Sequence, residues 1–309
     1  MTFKELTKWY IDLPTIKRLA SYDRVNGLIS NFNKVYGDRT INTIKPIDLK
    51  NYQEIRNGEK TASATIDMEV NGVGSMISKA FDNDMIDGHT LKVFGRIKRL
   101  LKKGSNARKR LVSPDEYIML LKNCSPHLRP ILIVAYNTGM RKGEIQKLQW
   151  THVDIENGFI RLPKEITKED KDKDVPLSHH VKAVLKNLPH LSHDFVFTYN
   201  KKPITDKSGC KKSFITACHK AGIPYGTKTP NEIILHDFRR TVKTNMINAG
   251  VDVAHRDMIL GHSLKGMDAY YLVPTENALK EAIGKYTSWL DSQLISDISE
   301  GVRQIVRQH

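Results

Sequence analysis

The side chains best suited to chemistry lie near the end of the chain. They are His236, Arg239, His262, Tyr270 and Tyr271. Apolar residues around His236 recur at helical spacing, and side chains three residues apart share a helix face, so His236 and Arg239 should project together. Arginine repels a cation, whereas its planar fork matches two phosphate oxygens. These residue types therefore predict a phosphate site rather than a metal site.

A second arginine in a suitable setting occurs upstream. Arg141 follows the turn that contains Gly139 and opens a predicted helix whose Ile145 side chain points to the core. The free N–H groups of a helix N-terminus attract anions, and an arginine at that position adds a positive charge. Glu144 lies one turn further along the helix, where it can hold Arg141 in place.

A charged turn supplies candidates for a further cation. Asn157 and Gly158 predict a tight hairpin turn. The segment that follows contains four lysines, Lys164, Lys168, Lys171 and Lys173. A charged hairpin tip is usually only solvated, but each of these lysines is long enough to approach a phosphate or a leaving oxygen. The pattern alone does not choose among them.

These residue types suit attack on a phosphodiester. Such attack builds negative charge on the non-bridging oxygens, which preorganised cations stabilise. A tyrosine with a pKa of about 10 is a poor nucleophile at neutral pH. Neighbouring positive charge favours its phenolate, and a histidine can accept its proton. A lysine can then supply the proton that the leaving hydroxyl needs.

The elements that must position these residues divide the chain in two. Residues 1–103 have the patterns of a small helical domain, whose last helix is expected over 89–102. Residues 104–111 lose the apolar pattern and form a linker. A second domain follows over 112–292, with 293–309 as a C-terminal tail. The patterns predict a mainly α fold with a small antiparallel β-sheet, the α+β part being the second domain.

Basic residues are concentrated around the linker. The formal net charge is +15, and residues 91–110 contain nine Lys and Arg with no Asp or Glu. Such a run in the middle of the chain favours contact with nucleic acid, because basic groups laid against phosphates release counterions. The predicted DNA contacts are Arg96, Lys98, Arg99, Lys102, Lys103, Arg108, Lys109 and Arg110.

Several other classes of site and location are not supported. The three cysteines, Cys124, Cys210 and Cys218, have no close metal-binding spacing, which indicates a reduced cytoplasmic protein. No apolar run approaches the length of a membrane span, and no paired-carboxylate metal motif occurs. We therefore expect no metal ion, no cofactor and no membrane contact.

Five features together resemble the tyrosine recombinase, or phage integrase, family. They are TGMRKGEIQKLQW, ITKEDKDKDVPLS, HDFRR, LGHS and a tyrosine nine residues after His262. They occur in the family's order with similar gaps, across about residues 111–290. A single motif is weak, because HxxR occurs by chance in many helices, whereas five in order are specific. The N-terminal region resembles, more loosely, the family's helical core-site-binding domain.

The resemblance implies a role for each matching residue. The implied catalytic set is Arg141, Lys168, His236, Arg239, His262 and Tyr271, supported by Glu144. The two arginines clamp the scissile phosphate, the histidines assist from either side, and Lys168 donates a proton. Tyr271 is preferred to Tyr270 as the nucleophile because the family's tyrosine lies nine residues after its GH histidine.

The implied function is site-specific recombination or integration. The enzyme would cleave and rejoin double-stranded DNA through a covalent 3′-phosphotyrosyl intermediate, as a homotetramer on paired sites, in the cytoplasm. Two alternatives are a type IB topoisomerase-like nicking-closing enzyme and a DNA-binding regulator that does not cut. Apolar positions over 277–309 either close the protomer's own core or dock on a neighbouring protomer.

Overall fold

The computed structural model describes residues 1–190, 194–204, 210–264 and 271–294. The chain separates into two compact units, Met1–Ala107 and Arg108–His309. The boundary falls within the stretch 104–111, where the sequence predicts a linker. The described elements are mainly helical with small antiparallel sheets, so the predicted fold class is confirmed.

The first unit is helical and has an aromatic core. Its helices are α1 (Phe3–Asp12), α2 (Pro14–Lys17), α3 (Tyr22–Tyr36), α4 (Pro46–Gly58), α5 (Ser63–Phe81) and α6 (Gly88–Gly95), with a 3-10 helix at Ile41–Thr43. The ring centroid of Phe32 lies 4.7 Å from that of Phe3 and 4.5 Å from that of Tyr52. The apolar faces of α1, α3 and α4 therefore bury one another, as amphipathic helices do.

Helix α6 is shorter than the sequence predicts. It ends at Gly95, so the helix expected over 89–102 is wrong beyond that residue. The buried carboxylate of Asp67 accepts hydrogen bonds from the backbone N–H groups of Leu100 at 2.7 Å and Leu101 at 3.1 Å. Because Asp67 captures these N–H groups, they do not form helix bonds, and the basic residues that follow α6 lie on irregular backbone.

The second unit combines helices with two small sheets. Its described helices are α7 (Pro114–Asn123), α8 (Arg129–Thr138), α9 (Lys142–Gln146), α10 (His179–Asn187), α11 (Cys210–Lys220), α12 (Leu235–Asn248), α13 (Val253–Leu260) and α14 (Glu276–Gln293). Its strands are β1 (Val153–Asp154), β2 (Phe159–Leu162), β3 (Lys173–Pro176), β4 (Thr198–Tyr199) and β5 (Lys202–Pro203). Short 3-10 helices occur at Trp150–His152 and Lys164–Ile166.

The three-stranded sheet has the order β1-β2-β3 and is antiparallel throughout. Gly158, in the predicted turn between β1 and β2, has a φ of +75°, which glycine adopts without strain. In β3, Lys173 pairs with Leu162 and Val175 pairs with Ile160. Since alternate residues of a strand point to the same face, Lys173 points inward together with Val175, and both are buried.

Helix α14 completes the core of its own unit. Leu279, Ile283 and Leu290 are buried, and the Tyr286 hydroxyl donates a hydrogen bond to the carbonyl of Tyr136 at 2.6 Å. The apolar face of α14 is therefore used within the protomer. The tail from residue 295 onward lies outside the described residues.

Two glycines end the helices that meet beneath the predicted site. Gly139 follows α8 with a φ of 65°, and Gly261 follows α13 with a φ of 66°. A Cβ added to Gly139 would lie 2.5 Å from Cδ2 of Leu260 and 3.1 Å from Cγ1 of Val242. The end of α8 therefore packs directly against α12 and the end of α13.

We expect Gly139→Ala to lower the free energy of unfolding by about 1–3 kcal/mol, because alanine is strained at this φ and its methyl overlaps Leu260. Gly284, inside α14, has open space around it and is a matched control. Gly284→Ala should leave stability unchanged or raise it by up to about 1 kcal/mol. Urea unfolding followed by circular dichroism compares the two variants, and equal stability contradicts the close packing at Gly139.

Candidate active site

Two arginines are anchored to consecutive carbonyls of one turn. Arg239, on α12, donates from Nη2 to the carbonyl of Leu260 and from Nη1 to the carbonyl of Gly139 at 2.8 Å. Arg141, the N-cap residue of α9, donates from Nη2 to the carbonyl of Gly261 at 3.3 Å. These carbonyls are free to accept because the last carbonyls of a helix have no partner within it. The ends of α8 and α13 therefore hold both guanidinium groups.

The arrangement concentrates positive charge at a site that is largely shielded from solvent. Arg239 is only 6% exposed. Burial, followed by the nearby charge of Arg141, lowers the pKa of Arg239 to about 10. Two like charges held close together at low exposure favour an anion between them, since an anion offsets both their repulsion and their lost hydration.

Two carboxylates contact Arg141 in the described chain. Glu144 accepts from Nη1 at 2.8 Å and from the backbone N–H of Arg141 at 3.0 Å. Glu169, in the turn before β3, accepts from Nη1 at 2.9 Å and also from Nη2, so its carboxylate spans the guanidinium fork. The glutamate expected to support Arg141 thus lies against it, and a second glutamate, which sequence reasoning did not identify, spans the fork.

Lys173 also lies in this cluster, although the sequence named it only as one of four candidate lysines. Its Nζ donates to Glu144 at 2.7 Å, and both side chains are almost fully buried. Burial lowers the pKa of Lys173 to about 8, although Glu144 opposes the shift. Burial raises the pKa of Glu144, but Lys173 and the hydrogen bonds from Arg141 outweigh it and hold this pKa below its ordinary value. Removing one partner of such a pair costs about 3–5 kcal/mol.

Strand alternation could have identified Lys173. It lies two residues before the apolar Val175, so the two side chains share a face of β3 if the strand begins at Lys173. Lys168, which the resemblance favours, is instead exposed in the preceding turn, as are Lys164 and Lys171. The hairpin therefore brings one lysine into the cluster and leaves three at the surface.

The two histidines flank the arginines and tend to be neutral. His262 follows Gly261, and its Nδ1 lies 3.3 Å from the carboxylate of Asp257. Burial lowers the pKa of His262 despite this carboxylate. His236 is more exposed, and partial burial followed by the charges of Arg239 and Arg240 lowers its pKa. Both imidazoles are therefore biased toward the form that can accept a proton at neutral pH.

Tyr271 is strongly exposed to solvent. It is 75% exposed, and within the described residues its hydroxyl makes no hydrogen bond. The neighbouring Leu272 and Val273 are exposed as well. Tyr270, the alternative nucleophile, lies outside the described residues. Nothing in the described part of the chain covers the Tyr271 ring.

A cavity of about 410 Å³ lies beside the cluster. Its lining includes Glu169, Lys173, Gly261, His262 and Leu272. The cavity therefore joins the turn that carries Glu169 to the segment that follows Tyr271. Its volume is enough to hold a phosphate with its flanking sugar, and its lining carries both acidic and basic side chains.

The predicted DNA-contacting residues differ in their surroundings. Arg108 pairs with the buried Asp237, which caps α12, at 2.9 Å, and Arg110 pairs with Glu116. These two arginines fasten the start of the second unit to α12 and α7. The remaining members of the set are exposed: Arg96, Lys98, Arg99, Lys102, Lys103 and Lys109.

A separate group of possible metal ligands lies at the start of α10. His179, His180 and Asp291 bring three donor atoms within 4.8 Å of one another. The free N–H groups at this helix N-terminus disfavour a cation, and Lys182 and Lys280 line the adjacent cavity. We therefore interpret the 2.7 Å contact between His180 and Asp291 as a link between α10 and α14.

Comparison with known sequences defines the family. The sequence model described as the phage integrase family matches residues 110–277, which is more than half of the chain. The chain therefore belongs to the phage integrase family, the tyrosine-type site-specific recombinases, as the sequence motifs implied. In the described residues every helix is too short or too polar to span a bilayer.

Individual relatives are distant. The shufflon-specific DNA recombinase of Escherichia coli is 24% identical over 269 residues, which are 81% of this chain and 65% of that protein. Tyrosine recombinase XerC of Pediococcus pentosaceus is 28% identical over 273 residues, which are 81% of this chain and 85% of that protein. The chain thus spans about two thirds of the first relative and most of the second.

Solved structures share the fold. A lambda integrase dimer bound to a core site has a TM-score of 0.70 at 14% identity, covering 89% of this chain and 100% of that chain. The Tn1549 transposon integrase in complex with transposon right-end DNA has a TM-score of 0.67 at 17% identity, covering 93% of this chain and 100% of that chain. These likenesses agree with the fold class derived from the sequence.

Proposed function

We propose that Arg141 and Arg239 bind one phosphate of duplex DNA and that Tyr271 attacks it. The observation that carries this proposal is the anchoring of both guanidinium groups on the carbonyls of Leu260 and Gly261. Groups fixed in this way need not reorganise when charge develops on the non-bridging oxygens of the transition state. Membership of a family of site-specific recombinases indicates that the reaction is cleavage and rejoining of DNA.

The reaction balances without an added reactant. The Tyr271 oxygen forms a bond to phosphorus and the bond to the 5′ oxygen breaks, which leaves a 3′-phosphotyrosyl link and a free 5′ hydroxyl. The phenolic proton passes to a neutral imidazole, of His236 or His262, and the leaving oxygen gains a proton from a cationic side chain. Attack by a 5′ hydroxyl from another strand reverses these steps and rejoins the DNA.

Two lysines compete for the role of proton donor. Lys168 matches the family's motif and lies on a solvent-exposed turn, where a side chain is free to move onto bound DNA. Lys173 has a pKa of about 8, which suits proton transfer near neutral pH, but its ammonium group is committed to the buried Glu144. We propose Lys168 as the donor and Lys173 as a positioning residue that holds Glu144, and through it Arg141.

We infer that the substrate is double-stranded DNA and that four copies assemble on paired sites. The support is the net charge of +15, the exposed basic residues around the linker, and two relatives in complexes, a lambda integrase tetramer bound to a Holliday junction and the Tn1549 integrase bound to DNA. The first unit, which we propose as the core-site-binding domain, adds contacts on the DNA. We propose that the enzyme works on DNA in the cytoplasm.

The topoisomerase-like alternative is not favoured, because the relatives are site-specific recombinases and integrases. A regulator that only binds DNA has no need of a tyrosine at the position of the family's nucleophile, and it leaves the neutral histidines without a role. Exchange of strands between two duplexes separates a recombinase from a nicking-closing enzyme.

Tyr271→Phe is expected to abolish covalent attachment to DNA while leaving DNA affinity within about twofold, since a single phenol contributes little beside the phosphate contacts. The substrate is a nicked duplex from the DNA that flanks the protein's own gene. The short cleaved fragment diffuses away, so religation is prevented and the covalent intermediate accumulates. Denaturing gels measure the attached protein. Tyr270→Phe is the matched control and should attach normally. Loss of attachment in Tyr270→Phe alone would assign the nucleophile to Tyr270.

The donor is tested with a substrate whose leaving 5′ oxygen is replaced by sulfur at the mapped cleavage position. A thiolate leaves without a proton, so Lys168→Met should slow cleavage of ordinary DNA by about 10²–10⁴-fold and cleave the sulfur substrate at nearly the wild-type rate. Lys171→Met, in the same turn, is the control and should behave as wild type with both substrates.

The same comparison tests Lys173. Lys173→Met is combined with Glu144→Gln so that no charge is left buried alone. If Lys173 only positions Arg141, this double variant is slow with oxygen and sulfur substrates alike. Rescue of the double variant by sulfur, with no rescue of Lys168→Met, reverses the assignment of the two lysines.

A further inference from the structure

The carboxylate of Glu169 occupies the fork of Arg141 in the way a phosphate does. Its two oxygens accept from Nη1 and Nη2 of the guanidinium, and the distance from Nη1 to Oε2 is 2.9 Å. A carboxylate and a phosphate both present two oxygens at a spacing that suits this paired contact. The side chains of Arg141 and Glu169 are 19% and 24% exposed, so water only partly screens the pair.

Glu169 is not needed to hold Arg141 in position. The carboxylate of Glu144 and the carbonyl of Gly261 already fix the guanidinium group. The turn that carries Glu169 has hydrogen bonds of its own, from Thr167 Oγ1 to the carbonyl of Lys171 at 2.7 Å and from the Lys164 N–H to Asp172 at 2.9 Å. The Glu169 carboxylate is therefore free to leave without undoing either the arginine anchor or the turn.

Glu169 also supplies the negative charge that the paired arginines favour. Its charge opposes the lowering of the Arg239 pKa by burial and by Arg141, and Glu169 lines the cavity beside Gly261 and His262. In the absence of DNA it thus takes the place where a phosphate would offset the repulsion between the guanidinium groups. A phosphodiester carries the same single charge, so the two compete for one position.

We propose that Glu169 is an internal occupant of the phosphate site, which a DNA phosphate must displace before cleavage. The proposal rests on the function proposed above and adds that Glu169 controls access of the DNA phosphate to Arg141. For an isolated anion, the free energy of displacing Glu169 weakens binding in full. Duplex DNA offsets this free energy through its other backbone contacts. Because Lys168 precedes Glu169 in the same turn, the movement that clears Arg141 also moves the proposed proton donor.

The test measures binding of inorganic phosphate to the full chain by equilibrium dialysis at fixed ionic strength. Glu169→Gln keeps the shape of the side chain and removes its charge, so it should bind phosphate about tenfold more tightly, as expected if the wild-type site is open about one tenth of the time. Glu165→Gln removes a charge from an exposed position four residues earlier and is the matched control. It should bind as wild type does.

A second variant identifies the site of any gain. Arg141→Lys keeps a positive charge but lacks the fork, so adding it to Glu169→Gln should erase the gain. An unchanged phosphate affinity in Glu169→Gln, an equal gain in Glu165→Gln, or a gain that survives Arg141→Lys each overturns the proposal. Phosphate binding does not depend on covalent capture, so failure of the Tyr271 experiment and failure of this one remain distinguishable.

Discussion

The site depends on two guanidinium groups that are held close together against their mutual repulsion. The carbonyls at the ends of α8 and α13 accept hydrogen bonds from Arg239, and the next carbonyl along the chain accepts one from Arg141. Such carbonyls carry the negative end of the helix dipole, which favours cations. Gly139 and Gly261, in left-handed conformations, allow both helices to end where their carbonyls can accept from the arginines. The backbone itself therefore binds the two guanidinium groups.

The hairpin gives this cluster its remaining charges. Lys173 and Glu144 form a buried pair beneath Arg141, while Glu169 reaches the same arginine from the turn. Positive and negative groups therefore alternate outward from the core, and the outermost is the carboxylate facing the cavity. A site built in this way binds an anion strongly only if that outer carboxylate gives way. In the proposed mechanism, the affinity of the site for DNA and its occupation by Glu169 in the absence of DNA arise from one set of contacts.

Local patterns predicted much of the fold and part of the site. The spacing of His236 and Arg239 and the N-cap position of Arg141 follow from helical periodicity and turn residues, which act over a few neighbours. The contacts of Lys173 with Glu144 and of Glu169 with Arg141 join residues 29 and 28 positions apart. Strand alternation indicates that Lys173 points inward, but no nearby residue identifies the partner that either side chain meets. The overlong helix predicted over 89–102 has a similar cause, because Asp67, which binds the N–H groups of Leu100 and Leu101, lies far back in the sequence.

The binding of one phosphate by both arginines is measured most directly by a crystal structure of the Tyr271→Phe variant bound to its target duplex. We expect Arg141 and Arg239 both to donate to non-bridging oxygens of one phosphate, and the ring at position 271 to face the same phosphorus. A phosphate bound by only one of the two arginines, or by neither, would show that they do not form one site.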